Sequence, residues 1–324
     1  MWHAFTVSLV LLTSICGVTA AAEPITISHR WGETTLPAPA QRVVSISYTG
    51  ADYLLALGTV PIAYRTWYGG DETGLWPWAS PLLGEARPPV LRGELDIEAI
   101  AAMKPDLIEA MWSGISKTQY EKLSRIAPVL PAGKGAGDFG MPWEDMTRAL
   151  GNALGKSDEA HALIERITEN ALAIRSAHPN WQDATAVVAW PAGPGLYTGT
   201  DARARLLASF GFRTPKIVES LARGSFYFTL DPELSEPLDV DLLVWLDAGG
   251  GVSSARDLPL RDSLRAVQEG REIVADPELA AAMSYSSPLS LEFAQTKLIP
   301  LIEAAMDGDP ETVVPGAHEA GLVR

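Results

Sequence analysis

From residue 42 onward, short continuous apolar runs alternate with stretches whose apolar residues recur at helical spacing. Residues 42–46 (RVVSI) are rich in β-branched side chains and predict a strand. Residues 51–57 predict a helix closed by Gly58, and residues 60–64 a second strand. Residues 97–103 predict a helix stopped at Pro105, and residues 107–112 a third strand. The order then recurs. Residues 186–190 (AVVAW) predict a strand, residues 202–209 a helix ending in Phe210-Gly211, and residues 242–246 (LLVWL) a strand. Alternation of this kind predicts an α/β chain with a largely parallel sheet.

The two halves share more than a grammar. The segments LLALG at 54–58 and LLASFG at 206–211 correspond. Asp96 and Asp106 correspond to Asp231 and Asp241 at one displacement (231 − 96 = 241 − 106 = 135). Two related lobes are therefore expected. Between them, residues 157–178 place Ala160, Leu163, Ile164, Ile167, Ala171 and Ile174 on one helical face, and Pro179 ends the run. Ser157 is the expected N-cap, with Asp158 and Glu159 in the first turn. Such a helix is about 30 Å long, enough to run as a strut across two lobes. The expected organisation is an N-terminal lobe over 23–155, a linking helix over 156–180, and a C-terminal lobe over 181–306. Residues 307–324, rich in Gly, Pro and small polar residues, are expected to form a flexible tail.

The first 22 residues differ in kind. An apolar run over 4–15 is too short to span a bilayer and is followed by small residues up to Ala22, which predicts a secretory signal peptide. The leading MWH carries no Lys or Arg, a departure from that pattern. Cys16 raises a lipid anchor, but the bulky Ile15 before it favours ordinary cleavage and a periplasmic protein. Cys16 is the only cysteine, so a mature chain has no disulfide and must be held by its cores. The net charge of −15 argues against coating nucleic acid or an anionic membrane.

Chemistry-bearing motifs are few. Residues 135–140 (GAGDFG) fit G-x-G-x-x-G but lie between Pro131 and Pro142, late in the first half, and read as a flexible loop instead of a dinucleotide site. G-x-S-x-G and H-E-x-x-H are absent. His3, His29, His161, His178 and His318 lack zinc-ligand spacing. What does recur is aromatic residues at the ends of predicted strands: Tyr48, Trp67, Tyr68, Trp112, Trp190 and Tyr197, joined by Phe226, Tyr227 and Tyr285. Carboxyl ends of parallel strands are where α/β proteins build ligand sites. Aromatic walls suit a large, flat or greasy ligand. Arg92, in a short loop before a helix, is placed to pair with an oxygen-rich anion.

Residues 27–46 (ISHRWGETTLPAPAQRVVSI), 56–70 (ALGTVPIAYRTWYGG), 90–114 (VLRGELDIEAIAAMKPDLIEAMWSG), 122–130 (KLSRIAPVL) and 284–302 (SYSSPLSLEFAQTKLIPLI) together resemble the periplasmic ferric-siderophore-binding proteins of ABC importers, over about residues 24–306. The resemblance implies two Rossmann-like lobes joined by a single long backbone helix, with a shallow interlobe cleft and limited closure. It implies a monomer that binds a ferric siderophore without catalysis and without a cofactor of its own, the iron being held by the chelator. It implies ligand contacts at Trp67, Tyr68, Arg92, Trp112, Ser113, Tyr197, Phe226, Tyr227 and Tyr285, with no metal ligand from the protein; the strand-end position adds Tyr48, and the need for a local cation to offset the negative charge adds Arg203. It further implies docking to an inner-membrane ABC permease through Glu98 and, by the internal repeat, Glu233. A haem- or cobalamin-binding protein of the same fold is the near alternative, with several tyrosines available for haem iron. A secreted α/β hydrolase or siderophore reductase is the alternative of another class, and lacks a recognisable nucleophile or metal set.

Overall fold

The computed structural model describes residues 23–191, 193–231, 233–247 and 251–322. The signal-peptide reading of residues 1–22, and with it Cys16, lies outside the described residues.

The described chain opens with an antiparallel hairpin, β1 (Ile25–His29) and β2 (Gly32–Leu36), whose Leu36 is buried. The first lobe follows: β3 (Val43–Ser45), α1 (Gly50–Ala56), β4 (Ala63–Arg65), β5 (Val90–Leu91), α2 (Ile97–Ala102), β6 (Leu107–Ala110), α3 (Lys117–Leu123), β7 (Val129–Pro131) and α4 (Trp143–Ala153). Its five strands lie in the order β5-β4-β3-β6-β7, all neighbours parallel. Val43, Val44, Leu107 and Ile108 are fully buried. A parallel sheet is covered on both faces, which is why these strands read as unbroken apolar runs.

Helix α5 (Ser157–Ala177) leads to the second lobe. Its elements are β8 (Ala186–Trp190), β9 (Gly195–Tyr197), α6 (Ala202–Ser209), α7 (Lys216–Ala222), β10 (Tyr227–Thr229), β11 (Leu242–Leu246), α8 (Arg265–Gln268), β12 (Glu272–Ala275), α9 (Pro277–Tyr285) and α10 (Pro288–Ala305). The strand order β10-β9-β8-β11-β12 repeats that of the first lobe. Strands β8, β11 and β12 are parallel, whereas β9 runs antiparallel to both its neighbours. The fold is thus α/β, with two Rossmann-like lobes and a long helix between them.

The internal repeat is physical. The Asp106 carboxylate accepts from the amides of Gln41 and Arg42, both at 2.8 Å, fastening the start of β3 to that of β6. Asp241 does the same for β8 and β11, accepting from the Thr185 amide at 2.8 Å and its hydroxyl at 2.7 Å. The repeat breaks one element earlier. Asp96 caps α2 by accepting from the Ala99 amide at 2.9 Å, whereas the chain after Asp231 reaches only a 3-10 turn over Glu236–Leu238.

Ala160, Leu163, Ile164, Ile167 and Ala171 of α5 are buried, as their spacing predicts. Ser157 is not the N-cap: Lys156 takes that position without a side-chain cap. Its ammonium instead donates to the Leu57 carbonyl at 2.6 Å and to the Thr59 hydroxyl at 3.0 Å, tying the strut to the end of α1. The far side of α5 is held to α10 by Arg166–Glu292 at 2.7 Å and by Asn170, which donates to Gln295 at 2.6 Å.

The expectation of a loose tail over 307–324 is corrected. Val314, Ala317 and Leu322 are buried in the main core, and Arg261, itself paired with Glu272, donates to the Leu322 carbonyl. Small residues and glycines mark tight packing against the second lobe here. Gly316 adopts a φ of 77° with a Cβ position only 3.0 Å from the Val274 carbonyl oxygen.

Candidate ligand-binding cleft

In each lobe the strand order reverses between the first and fourth strands, β3/β6 and β8/β11, and ligands bind in α/β sheets outside the carboxyl ends at such points. At the first, Glu109, the penultimate residue of β6, is fully buried. Its carboxylate accepts from Ser45 at 2.6 Å, Ser47 at 2.5 Å and the Met111 amide at 2.8 Å. Burial nonetheless holds its pKa above the ordinary carboxylate value, with the hydrogen bonds opposing. Ser47 accepts in turn from the Trp112 amide at 2.8 Å. One carboxylate thus sets the two loops that carry Tyr48 and Trp112. Gly50 is required beside it, since a Cβ there would lie 2.0 Å from the Glu109 carboxylate.

Above this floor the aromatic residues form one continuous cluster. Trp67 lies 4.8 Å from Tyr68, 5.1 Å from Trp112 and 5.8 Å from Tyr285, centroid to centroid. Trp112 lies edge-on to Tyr48 at 6.5 Å and to Phe139 at 4.8 Å. Trp67, Tyr68 and Phe139 stay exposed. Behind them, Trp76 stacks on Trp78 at 5.5 Å and donates to the Tyr68 carbonyl at 3.0 Å. Gly69 permits that approach: its φ is 68°, and a Cβ would fall 2.2 Å from the Trp76 ring.

The second lobe supplies a facing group. Trp190 lies 5.0 Å from Tyr197 and 5.9 Å from Tyr227, and Phe226 lies 4.8 Å from Tyr227. Arg203, stacked 4.1 Å from the Tyr197 centroid, donates to Ser284, and the next residue, Tyr285, lies 5.8 Å from both Trp67 and Tyr68 of the first lobe. The two aromatic groups therefore meet across one interlobe cleft.

A family model described as periplasmic binding protein matches residues 43–279. The chain belongs to that family. Among relatives of this periplasmic binding protein, a probable siderophore-binding lipoprotein, YfiY, of Bacillus subtilis is 29% identical over 231 residues, 68% of each chain. The ferric enterobactin-binding periplasmic protein FepB of Escherichia coli is 29% identical over 221 residues, 65% of this chain and 68% of that one. A periplasmic solute-binding protein of Mycobacterium smegmatis shares the fold at a TM-score of 0.74 and 32% identity, covering 86% of this chain and 96% of that one. PiaA of Streptococcus pneumoniae in complex with ferrichrome has a TM-score of 0.75 at 24% identity, over 88% of this chain and 99% of that one, a likeness of fold.

Within this periplasmic binding protein the expected contact residues separate into two groups. Tyr48, Trp67, Tyr68, Trp112, Tyr197, Phe226 and Tyr227 gather on the cleft, and Arg92 lies exposed at its edge, 3.4 Å from the Cβ position of Gly74. Ser113 and Tyr285 have structural work instead. Ser113 is buried and donates to the Ala110 carbonyl at 2.7 Å, closing a turn. Tyr285 is 4% exposed and donates to the Tyr68 carbonyl at 3.0 Å, and burial pushes its pKa far up. Arg203 is also buried, with both Asp201 oxygens at 3.0 and 3.1 Å and Ser284 at 3.1 Å.

Sequence reasoning passed over Arg65 and Phe139. Arg65 ends β4 and stacks its guanidinium 4.2 Å above the Tyr48 ring. Its position at the carboxyl end of a strand was the available signal. Phe139 sits inside the glycine-rich loop, where the surrounding glycines hid it. Among the described residues no group of three or more His, Cys, Asp or Glu could hold a metal. A cavity of about 150 Å³ against α5, lined in part by Trp143, Ile167, Arg205 and Gln295, touches none of the cleft aromatics and is smaller than ordinary ligand pockets.

Proposed function

We propose that this protein is a periplasmic carrier that captures a ferric siderophore in the aromatic cleft and delivers it to the permease of an ABC importer. One observation carries this: exposed aromatic side chains of both lobes, Trp67 and Tyr68 of the first and Phe226 and Tyr227 of the second, stand with the Arg65 guanidinium about one cleft. Aromatic faces cover the apolar arms of a chelate, and guanidinium groups meet its iron-binding oxygens. The names of YfiY and FepB, relatives over two thirds of their length, agree with this ligand class. The chelator satisfies the iron, so the protein contributes binding without catalysis and without an iron ligand. Exposed Glu98, in the first turn of α2, and exposed Glu233 would meet basic residues of the permease, one from each lobe.

Tryptophan fluorescence of residues 23–324, titrated with ferric catecholates, hydroxamates and citrate, with haem and with cobalamin, tests the proposal. Saturable quenching by one class of ferric chelate, weakened in Trp67→Ala, is the expected result. A response confined to haem or cobalamin moves the function while keeping the fold. Conversion of the chelate, by hydrolysis or by reduction of its iron, would make the protein an enzyme.

A further inference from the structure

Each lobe of the cleft carries an arginine stacked on a tyrosine. Arg65 lies 4.2 Å from the Tyr48 centroid in the first lobe, and Arg203 lies 4.1 Å from the Tyr197 centroid in the second. The two stacks look alike but differ in charge. Arg203 is 9% exposed and its guanidinium is neutralised by Asp201. Arg65 is half-buried, and its one hydrogen bond goes to the neutral Gly93 carbonyl, at 3.2 Å. Among the described residues no carboxylate lies within ion-pairing distance of Arg65.

A second arginine follows the strand that pairs with β4. Strands β4 and β5 pair Arg65 with Leu91, the last residue of β5, and Arg92 follows it. Arg92 is exposed and, among the described residues, makes no hydrogen bond or ion pair. Asp71, near Tyr64 on the same wall, is engaged by the Thr73 amide at 2.7 Å and by the Thr73 hydroxyl at 2.5 Å. A half-buried guanidinium is shielded less by water than an exposed one. The chain has 40 acidic residues against 25 basic ones, yet it leaves this pair unmatched. In the second lobe the arginine stacked on Tyr197 is paired with Asp201, and the wall around it is aromatic.

Resting on the proposed function, we infer that the cleft selects an anionic ferric chelate, of the catecholate or α-hydroxycarboxylate class, over a neutral trihydroxamate. The charged oxygens face Arg65 and Arg92 on the first lobe, and the uncharged periphery lies on Trp190, Tyr197 and Tyr227 of the second. Arg65 is the residue that sets this selectivity. The stack on Tyr48 fixes its plane, so its free N–H groups point from a held position and lose little freedom on binding.

The test is a quenching titration of the mature chain with three probes: an anionic ferric tricatecholate, ferric citrate and a neutral ferric trihydroxamate, each at low and high salt. The expected result is binding of an anionic probe at least about tenfold tighter than the trihydroxamate, weakened by salt. Arg65→Gln lowers anion affinity about tenfold and flattens its salt dependence, while trihydroxamate affinity stays as it was. Arg65→Lys keeps the salt dependence and restores part of the affinity, which separates charge from misfolding. Arg203→Gln lowers thermal stability and leaves the discrimination between probes intact. Equal or tighter binding of the trihydroxamate, or anion affinity indifferent to Arg65→Gln and to salt, overturns the inference while leaving the proposed function standing. Failure of all three probes to bind overturns the proposed function, and the inference with it.

Discussion

The Ser287 hydroxyl donates to the Asp52 carboxylate at 2.7 Å, although 235 residues of chain separate the two. Asp52 belongs to α1 of the first lobe, and Ser287 is the N-cap of α10. The same carboxylate oxygen accepts from the Trp78 indole at 2.7 Å. One residue on, the Tyr53 hydroxyl donates to the Ser286 carbonyl at 3.0 Å. The lobes are therefore fastened at a second place besides α5. A pair of lobes joined by a stiff helix and a buried latch has little freedom to swing, so its cleft is largely preformed.

The latch makes stability depend on pH. Burial raises the Asp52 pKa from 3.8 to about 6, against the opposing hydrogen bonds from Ser287 and Trp78. The folded state then binds the proton more tightly than the unfolded state. The stabilisation is complete below the unfolded pKa and is lost as pH rises through about 6. A shift of this size corresponds to a loss on the order of 3 kcal/mol between acid and neutral pH. Asp52→Asn keeps an acceptor for both donors and cannot ionise. Denaturant unfolding should show the variant matching the parent near pH 4 and exceeding it at neutral pH. Glu109 and Glu272, also raised chiefly by burial, act in the same direction in both proteins and cancel in the comparison. An unchanged difference across pH would mean that Asp52 does not titrate in this window.

Glu109 links stability to the cleft. Glu109→Ala strands the Ser45 and Ser47 hydroxyls and the Met111 amide and leaves a cavity, at a cost of about 3 kcal/mol or more. Because the same network sets the loops of Tyr48 and Trp112, ligand affinity should fall as well, though Glu109 touches no ligand. Glu109→Gln keeps the shape and one carbonyl acceptor, so its loss should be smaller in both assays. Paired measurements of unfolding free energy and quenching would reveal a variant that loses one property without the other, contrary to this account.

Much of the fold was legible in the sequence because the apolar runs of parallel strands are long and the helices between them are periodic. β11 and α6 fall on their predicted residues. The repeat at Asp106 and Asp241 was visible because a carboxylate doing the same job recurs at one spacing. Aromatic residues at strand ends showed the cleft for a similar reason. What was hidden depends on long-range pairing. Nothing local distinguishes Tyr285, buried against Tyr68 across 217 residues, from a tyrosine open to ligand. Asp201 lies only two residues from Arg203, so that pairing was within local reach and was missed, whereas nothing local shows that Arg65 goes unmatched. The tail misled because composition reports flexibility in isolation, not the groove into which Val314 and Leu322 fit.

That tail yields a further test. Ending the chain after Gly308 uncovers the core around Val314, Ala317 and Leu322 and removes one acceptor from Arg261. Burial of three apolar side chains is worth roughly 1–3 kcal/mol each, so the truncated protein should lose several kcal/mol. Thermal unfolding measures this directly. A truncated chain as stable as the full one would mean that these contacts contribute nothing.

The last prediction separates residues that shape the cleft from those that meet the ligand. Tyr285→Phe keeps a ring against Trp67, Tyr68 and Trp78 but removes the hydroxyl that meets the Tyr68 peptide. The Tyr68 carbonyl retains its bond from Trp76, so the loss should be modest, about 1 kcal/mol of stability. Affinity should fall only as far as Tyr68 shifts, a few-fold at most. Trp67→Ala should behave in the opposite way. Its ring is 38% exposed and, among the described residues, makes no hydrogen bond, so stability changes little while affinity drops strongly. Measured side by side by thermal unfolding and quenching, the two variants should fall on different axes. If Tyr285→Phe abolished binding without loss of stability, its hydroxyl would be a ligand contact after all, and the cleft would have to open further than the latch at Asp52 allows.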